Sequence, residues 1–209
     1  ADVDLIKYGS RAEQLFNNTI ADPDGKERYT ESLQGRLPVD INIYTAKVDY
    51  TRPLGKNGKL ETGLKGSYVN TDNEANYANL VNQQWEADWR KSNHFQYREN
   101  IGAAYLNYNK QWKKWGLQSG LRYEYTRYTG DQNGNPTRTD SSFTRSYGSL
   151  FPTVFLSYKA NDKNQFAVSA GRRIDRPAYQ NLNPFMFFLD KYTYGQGNTY
   201  LRPQFTNNL

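Results

Sequence analysis

The sequence predicts an all-β fold: an antiparallel, up-and-down transmembrane β-barrel, of which this chain supplies a fragment of about seven strands. Three observations point there. Apolar and polar side chains alternate over several stretches of roughly ten residues, which is a strand's period and about the length a tilted strand needs to cross a bilayer. The connectors between those stretches alternate between short and long. No run of eighteen apolar residues exists, which excludes a transmembrane helix. A membrane role would then fall to strands, whose alternation hides from hydropathy averages.

The clearest pair runs from Leu150 to Arg176. Val154, Leu156 and Tyr158 share one parity, against Thr153, Ser157 and Lys159 on the other. After the polar turn 160–164, Phe166, Val168 and Ala170 oppose Gln165, Ala167, Ser169 and Gly171. An apolar face backed by a small polar one suits a strand with lipid outside and water inside. A half-buried strand of a soluble antiparallel sheet reads the same way.

Along the chain, strands are expected near 2–8, 39–51, 59–70, 96–112, 115–129, 149–160 and 165–175. The first has mixed parity, and Ala12–Phe16 reads as a helical turn. The second places Tyr44, Ala46, Val48 and Tyr50 on one face. The third returns with Leu60, Thr62, Leu64 and Tyr68, after an Asn57-Gly58 pair that favours a hairpin. The fourth and fifth carry Ala104, Leu106 and Tyr108, then Leu117, Leu121, Tyr123 and Tyr125.

The connectors are long at 9–38, 71–95, 130–148 and 176–204, and short at 52–58, 113–114 and 160–164. Soluble sandwiches mix connector lengths without this order, whereas an outer-membrane barrel has short periplasmic turns and longer external loops. The alternation therefore decides for the barrel over the soluble sheet. It places Tyr50, Tyr108, Trp112, Trp115 and Tyr158 near the short turns, where a periplasmic-side aromatic girdle would lie. Ordinary cross-strand packing of aromatics is the alternative for those five.

Composition narrows function by exclusion. The chain has no cysteine, so disulfide frameworks and thiolate metal sites are ruled out. Its single histidine, His94, reads as an exposed loop residue and makes a His-based metal site or triad improbable. No carboxylates pair at a catalytic spacing, and Gly195-Gln196-Gly197 lacks the strand and helix of a phosphate-cradling loop. The expectation is no enzyme, no cofactor and no metal. The net charge of +6 is scattered rather than blocked, which argues against nucleic acid and fits solvation or anionic lipid.

A family resemblance adds to this. Gly171-Arg172-Arg173-Ile174-Asp175-Arg176-Pro177 is followed by Tyr179, Leu182-Asn183-Pro184-Phe185, Asp190, Tyr192-Thr193-Tyr194, Gly197-Asn198 and Leu201-Arg202-Pro203-Gln204. With Leu37–Tyr44, Ala46–Tyr50 and Asn100–Lys110, these resemble the C-terminal barrel region of TonB-dependent outer-membrane receptors, in the outer-membrane β-barrel protein family. The resemblance runs from about residue 37 to the end and departs at Thr199, where the family often has proline.

It implies a bacterial outer-membrane receptor of about 22 strands that takes up a siderophore, glycan or peptide. It also implies energy from the TonB system through a plug that is not in this chain. Lipid, lipopolysaccharide and a surface-exposed lipoprotein are the remaining partner candidates. A soluble carbohydrate-binding or adhesion module and a non-transporting barrel stay open as alternatives. The residues placed to touch an external ligand or lipopolysaccharide are Trp85, Trp89, Arg172, Arg173, Arg176, Tyr192 and Tyr194. The competing roles are rim packing for the aromatics and inward carboxylate pairing for the arginines. Lys47, Glu61, Lys65, Arg122 and Glu124 are expected to line a hydrated interior.

Overall fold

The computed structural model describes residues 1–190 and 192–209; Lys191, within the expected loop 176–204, lies outside the described residues. The strands are β1 (Asp2–Ala21), β2 (Glu27–Pro53), β3 (Gly58–Val81), β4 (Gln84–Ala87), β5 (Asn93–Trp112) and β6 (Trp115–Asn133). They continue as β7 (Ser141–Lys159), β8 (Gln165–Asp175), β9 (Met186–Phe188), β10 (Tyr194–Gln196) and β11 (Gln204–Asn208), with one helical turn, α1 (Tyr179–Leu182). No helix among the described residues is long and apolar enough to cross a membrane.

One antiparallel sheet runs β1-β2-β3-β5-β6-β7-β8-β11, with β4 hanging from β3; β9 and β10 form a separate ribbon. The sheet is not closed: β1 pairs only β2, and β11 only β8.

The hairpin turns follow from local chemistry. Gly25 takes φ 85° in the turn after β1, which only glycine adopts without strain. Between β2 and β3, Gly55 and Asn57 both sit at φ 64°, and Leu54 N donates to Gly58 O at 2.9 Å. At the β7–β8 turn, Asn161 Oδ1 accepts from the backbone N of Lys163 and Asn164, both at 2.9 Å. This is the Asx pattern that favours asparagine in turns.

The expected strands exist, but three of the four expected long loops are largely strand. Residues 9–21 and 27–38 extend β1 and β2, so the connector there shrinks to 22–26, and Ala12–Phe16 is strand rather than a helical turn. Most of 71–95 belongs to β3, β4 and β5, and 130–148 to β6 and β7. His94 likewise sits in β5, with Nε2 2.6 Å from Asp72 Oδ1 and Nδ1 2.8 Å from Asn133 Nδ2. The seven expected strands become nine in the main sheet, the additions being β4 and β11.

The physical reason is length. A tilted strand crosses a bilayer in about 9–11 residues. Here β2 has 27 residues and β3 has 24. About half of each strand projects past the apolar region. There the outer face is water-facing and rich in Asn, Asp and Thr, so the parity signal that marks a lipid-facing strand disappears.

Two faces follow from the register. Val3, Ala46, Gly66, Gly102, Tyr125 and Gly148 form one row across the sheet and share the outer face. The outer residues nearest the short turns are apolar and exposed: Val48, Leu64, Leu106, Leu121, Val154 and Val168. On β6 this band runs from Trp115 to Tyr125, and on β5 from Gly102 to Trp112, close to the height of a barrel's lipid-facing belt. Beyond it the outer face is polar: Arg11 pairs with Asp40 at 2.7 Å, and Arg98 with Asp131.

Along several strands the apolar parity then changes phase. On β5 the near half is apolar at Ala104, Leu106 and Tyr108, and the far half at Phe95 and Tyr97, which occupy the opposite face. Tyr77 on β3, Tyr128 on β6 and Phe143 on β7 join them. The near half thus turns its apolar side outward, and the far half turns it inward.

Candidate functional site

What the inward aromatics meet is the segment between β8 and β11. The described residues of 176–203 do not stand away from the sheet; they fold back across its inner face. Leu182 and Phe185 are buried with Ala75, Tyr77, Phe95, Tyr97 and Tyr128. The Phe185 ring lies 6.5 Å from Phe95, and Phe188 meets Tyr77 edge-on at 5.3 Å. Both spacings suit aromatic pairs. Tyr179 Oη donates to Asn73 Oδ1 at 3.0 Å. Burial pushes the Tyr77 and Tyr179 hydroxyls above the ordinary phenol range, so both stay protonated donors.

The segment holds its own shape. Gly197 N donates to Asn183 O at 3.0 Å, and Gln196 Nε2 to Pro184 O at 2.8 Å. Asn183 Oδ1 accepts from Phe185 N at 3.0 Å. Asp190 Oδ1 closes the tip by accepting from Tyr192 N and Thr193 N at 2.7 and 2.8 Å. These bonds pair part of the off-sheet backbone within the segment itself.

Below it lies a charged ring. Glu124, with a side chain 6% exposed, pairs with Arg122 and with Arg176 at the root of the segment. Arg122 Nε reaches Glu124 Oε2 at 2.8 Å. Lower still, Lys47 Nζ lies 2.7 Å from Asp49, which also accepts from Tyr105 Oη, and Lys59 pairs with Glu61. An open depression of about 420 Å³ is lined by Glu61, Asn107, Gln118, Thr153, Ser169 and Arg173. A second, of about 450 Å³, includes Lys47, Lys65, Tyr105 and Arg122. The near-half inner face is hydrophilic and presents amides, hydroxyls and both signs of charge. Among the described residues no group of three His, Asp or Glu side chains converges.

The far rim is tied together by two loops. Asp88 organises the first: its carboxylate accepts from Asn79 Nδ2 at 2.9 Å, Lys91 Nζ at 2.7 Å and Arg90 N at 3.1 Å. The second loop docks onto it through Asn135 Nδ2, which donates to Trp89 O at 2.9 Å and Ser92 O at 3.0 Å.

The residues anticipated from sequence fall into separate places. Trp85 on β4 and Trp89 in the Asp88 loop lie at this rim, each 45% exposed. Tyr192 and Tyr194 are exposed on the free side of the inserted segment. Arg172 stacks on Phe205 at 4.7 Å, Arg173 lines the inner depression, and Arg176 engages Glu124. These three arginines therefore do not form one cluster. Trp112 and Trp115 face each other in register, and Trp115 lies 4.5 Å from Tyr158, while Tyr108 is two rows and Tyr50 three rows further along the same outer face. The dock of Tyr77, Phe95, Tyr97, Tyr128 and Phe143 was not anticipated, although the phase change along β5 and β7 marks it.

Comparison with known proteins gives three results. The model of a family described as an outer membrane protein beta-barrel family matches residues 1–209. No curated protein matches the chain. Among solved structures the chain is similar in fold to the ferric citrate transporter FecA in its unliganded form, at 12% identity and a TM-score of 0.47. That alignment covers 82% of this chain and 25% of FecA, so the chain spans about a quarter of that protein's length.

Proposed function

Since the chain belongs to the outer membrane protein beta-barrel family and resides in the bacterial outer membrane, we propose that it forms part of the wall of a TonB-dependent receptor that imports a ligand. The supporting observation is the inner face. It is hydrophilic through the membrane band, yet the far half carries a folded-in segment and a structured rim. The free edges of β1 and β11 also need partners, because unpaired backbone groups are not tolerated in lipid. Further strands completing a wide barrel would supply them.

In this reading the short turns face the periplasm, Trp112, Trp115 and Tyr158 anchor that interface, and the rim faces outward. The protein acts by passage and catalyses no reaction. TonB would act through a plug, and a surface lipoprotein could meet the rim at Trp85 and Trp89.

The test is genetic. Strains lacking the complete gene, or lacking TonB, are grown on siderophore-bound iron, glycans or peptides as limiting nutrient. A shared defect on one nutrient class is expected. Normal growth of the gene deletion on all three classes would reject import.

A further inference from the structure

We infer that residues 176–203 are a lid seated inside the barrel mouth, which opens by leaving the wall as a unit. The inference rests on the barrel alone and not on what passes through it. Three features of the segment argue for a movable part rather than more wall.

First, it is internally bonded and joined to the strand ladder of the sheet only at its ends. The hydrogen bonds among Asn181, Asn183, Pro184, Gly197 and Asn198 close it on itself. Its exit is β11, five residues that pair with β8 alone and are all exposed. A unit that keeps its own hydrogen bonds can detach without leaving backbone groups bare.

Second, its grip on the wall is made of side chains. It includes the rings of Phe185 and Phe188, the Leu182 side chain, the Tyr179–Asn73 bond, the Tyr77 hydroxyl on Met186 O, Lys91 over Phe188, Arg145 over Tyr200 and the Arg176–Glu124 pair. No β9 or β10 residue pairs with the main sheet, so no strand ladder must break for it to move. Contacts of this kind open far below the free energy of global unfolding.

Third, the segment has two apolar sides. One is the dock; the other exposes Phe187, Leu189, Tyr192 and Tyr194. Exposed apolar clusters of this kind mark contact surfaces. A molecule arriving at the mouth would meet these side chains first and would have leverage on the dock behind them.

The experiment uses the complete protein in outer-membrane preparations and a membrane-impermeant maleimide. Ala75, 1% exposed beneath the lid, is replaced in Ala75→Cys; this stretch contains no native cysteine to interfere. Leu189→Cys, on the lid's free side, reports full exposure. Ala75→Cys should label at least about tenfold more slowly than Leu189→Cys, and adding Phe185→Ser with Phe188→Ser should remove most of that difference. Amides of Asn183 and Gly197 should stay protected in that triple variant, showing a lid detached whole. Equal labelling of the two cysteines before undocking would overturn the inference, as would an Ala75→Cys that stays shielded after it. Loss of Asn183 and Gly197 protection on undocking would also overturn it, because the segment would then be melting rather than opening. None of these readouts requires a transported ligand, so they fail or succeed independently of the import reading.

Discussion

Gly35 on β2 stands opposite Tyr77 on β3, and the Tyr77 ring lies over it: a Cβ added at Gly35 would come within 2.7 Å of Tyr77 Cε1. Gly63 opposite Tyr105 and Gly130 opposite Phe143 repeat the arrangement on the same inner face. Each glycine is the floor on which an aromatic ring of the neighbouring strand lies. Tyr77 is buried and in turn supports Phe188 of the inserted segment. Gly35→Ala therefore raises Tyr77 into Phe188, and overpacking of this kind costs about 1–3 kcal/mol. The expected result is faster amide exchange in residues 181–198 with unchanged exchange around Lys47. Gly66→Ala is the control, since a Cβ there meets nothing within 4 Å. Equal effects from the two substitutions would refute the supporting role of the Gly35 floor.

The two faces of β8 give a second prediction. Val168 is 70% exposed on the row that includes Leu156 and Leu117, whereas Ser169 lines the inner depression. Val168 lies one outer position from the pair Tyr158–Phe166 at the girdle, so Val168→Arg should destabilise the complete barrel by about 1 kcal/mol, below the midplane cost of an arginine. Ser169→Arg points into water and should cost far less. Urea titrations of folded barrel in lipid vesicles would measure both, and similar losses would invalidate the face assignment.

These two cases show what a sequence can and cannot reveal. Val154, Leu156, Val168 and their rows were legible because lipid on one side and water on the other impose a strict alternation. Thr71–Val81 and Ser141–Gly148 were not, because outside the bilayer the outer face loses its apolar residues while backbone pairing continues. The strand persists, and its signature does not. The change of phase between Leu106 and Phe95 could have been found, since it needs only parity counted along one strand. That the covering partner is Phe185 could not, because residues ninety apart in sequence meet only once the register of five strands is fixed. The inward turn of Arg176 was legible, as carboxylate pairing of the arginines and an inward Glu124 are both read from sequence; only the choice of Glu124 is a product of register.

That ion pair yields a third prediction. Glu124 is the nearly buried carboxylate between Arg122 and Arg176, whose own side chains are 36% and 28% exposed. Glu124→Gln leaves two guanidinium groups facing each other, with only Glu99 among the described residues beyond the pair to offset Arg176. Breaking a buried pair costs about 3–5 kcal/mol; partial access of water to both arginines brings the expectation nearer 2–3 kcal/mol. Adding Arg176→Gln should recover part of that loss, because the orphaned charge goes with it. Strict additivity of the two substitutions in urea titrations would show that the pair is not coupled.

The rim predicts a dependence on acid. Burial alone would raise the Asp88 carboxyl, but the bonds from Lys91 and Asn79 outweigh it and hold Asp88 below its ordinary value of 3.8. A folded loop with a depressed carboxylate binds fewer protons than the same loop unfolded. The stabilisation is thus complete above the ordinary carboxylate range and is lost as pH falls through the lower folded value. Above about pH 5 the loop should show no pH dependence from this group. Below pH 3.8 the amides of Arg90, Lys91 and Ser92 should lose protection. Because Asn135 and Thr137 bond the Trp89 carbonyl, the second rim loop should loosen in the same range. Asp88→Asn keeps the shape but gives up the charge, so its rim should exchange faster at neutral pH and no longer respond to acid. Hydrogen exchange followed from pH 6 down to pH 3 separates the outcomes. A wild-type rim whose loosening is matched step for step by Asp88→Asn would assign the acid response to some other group.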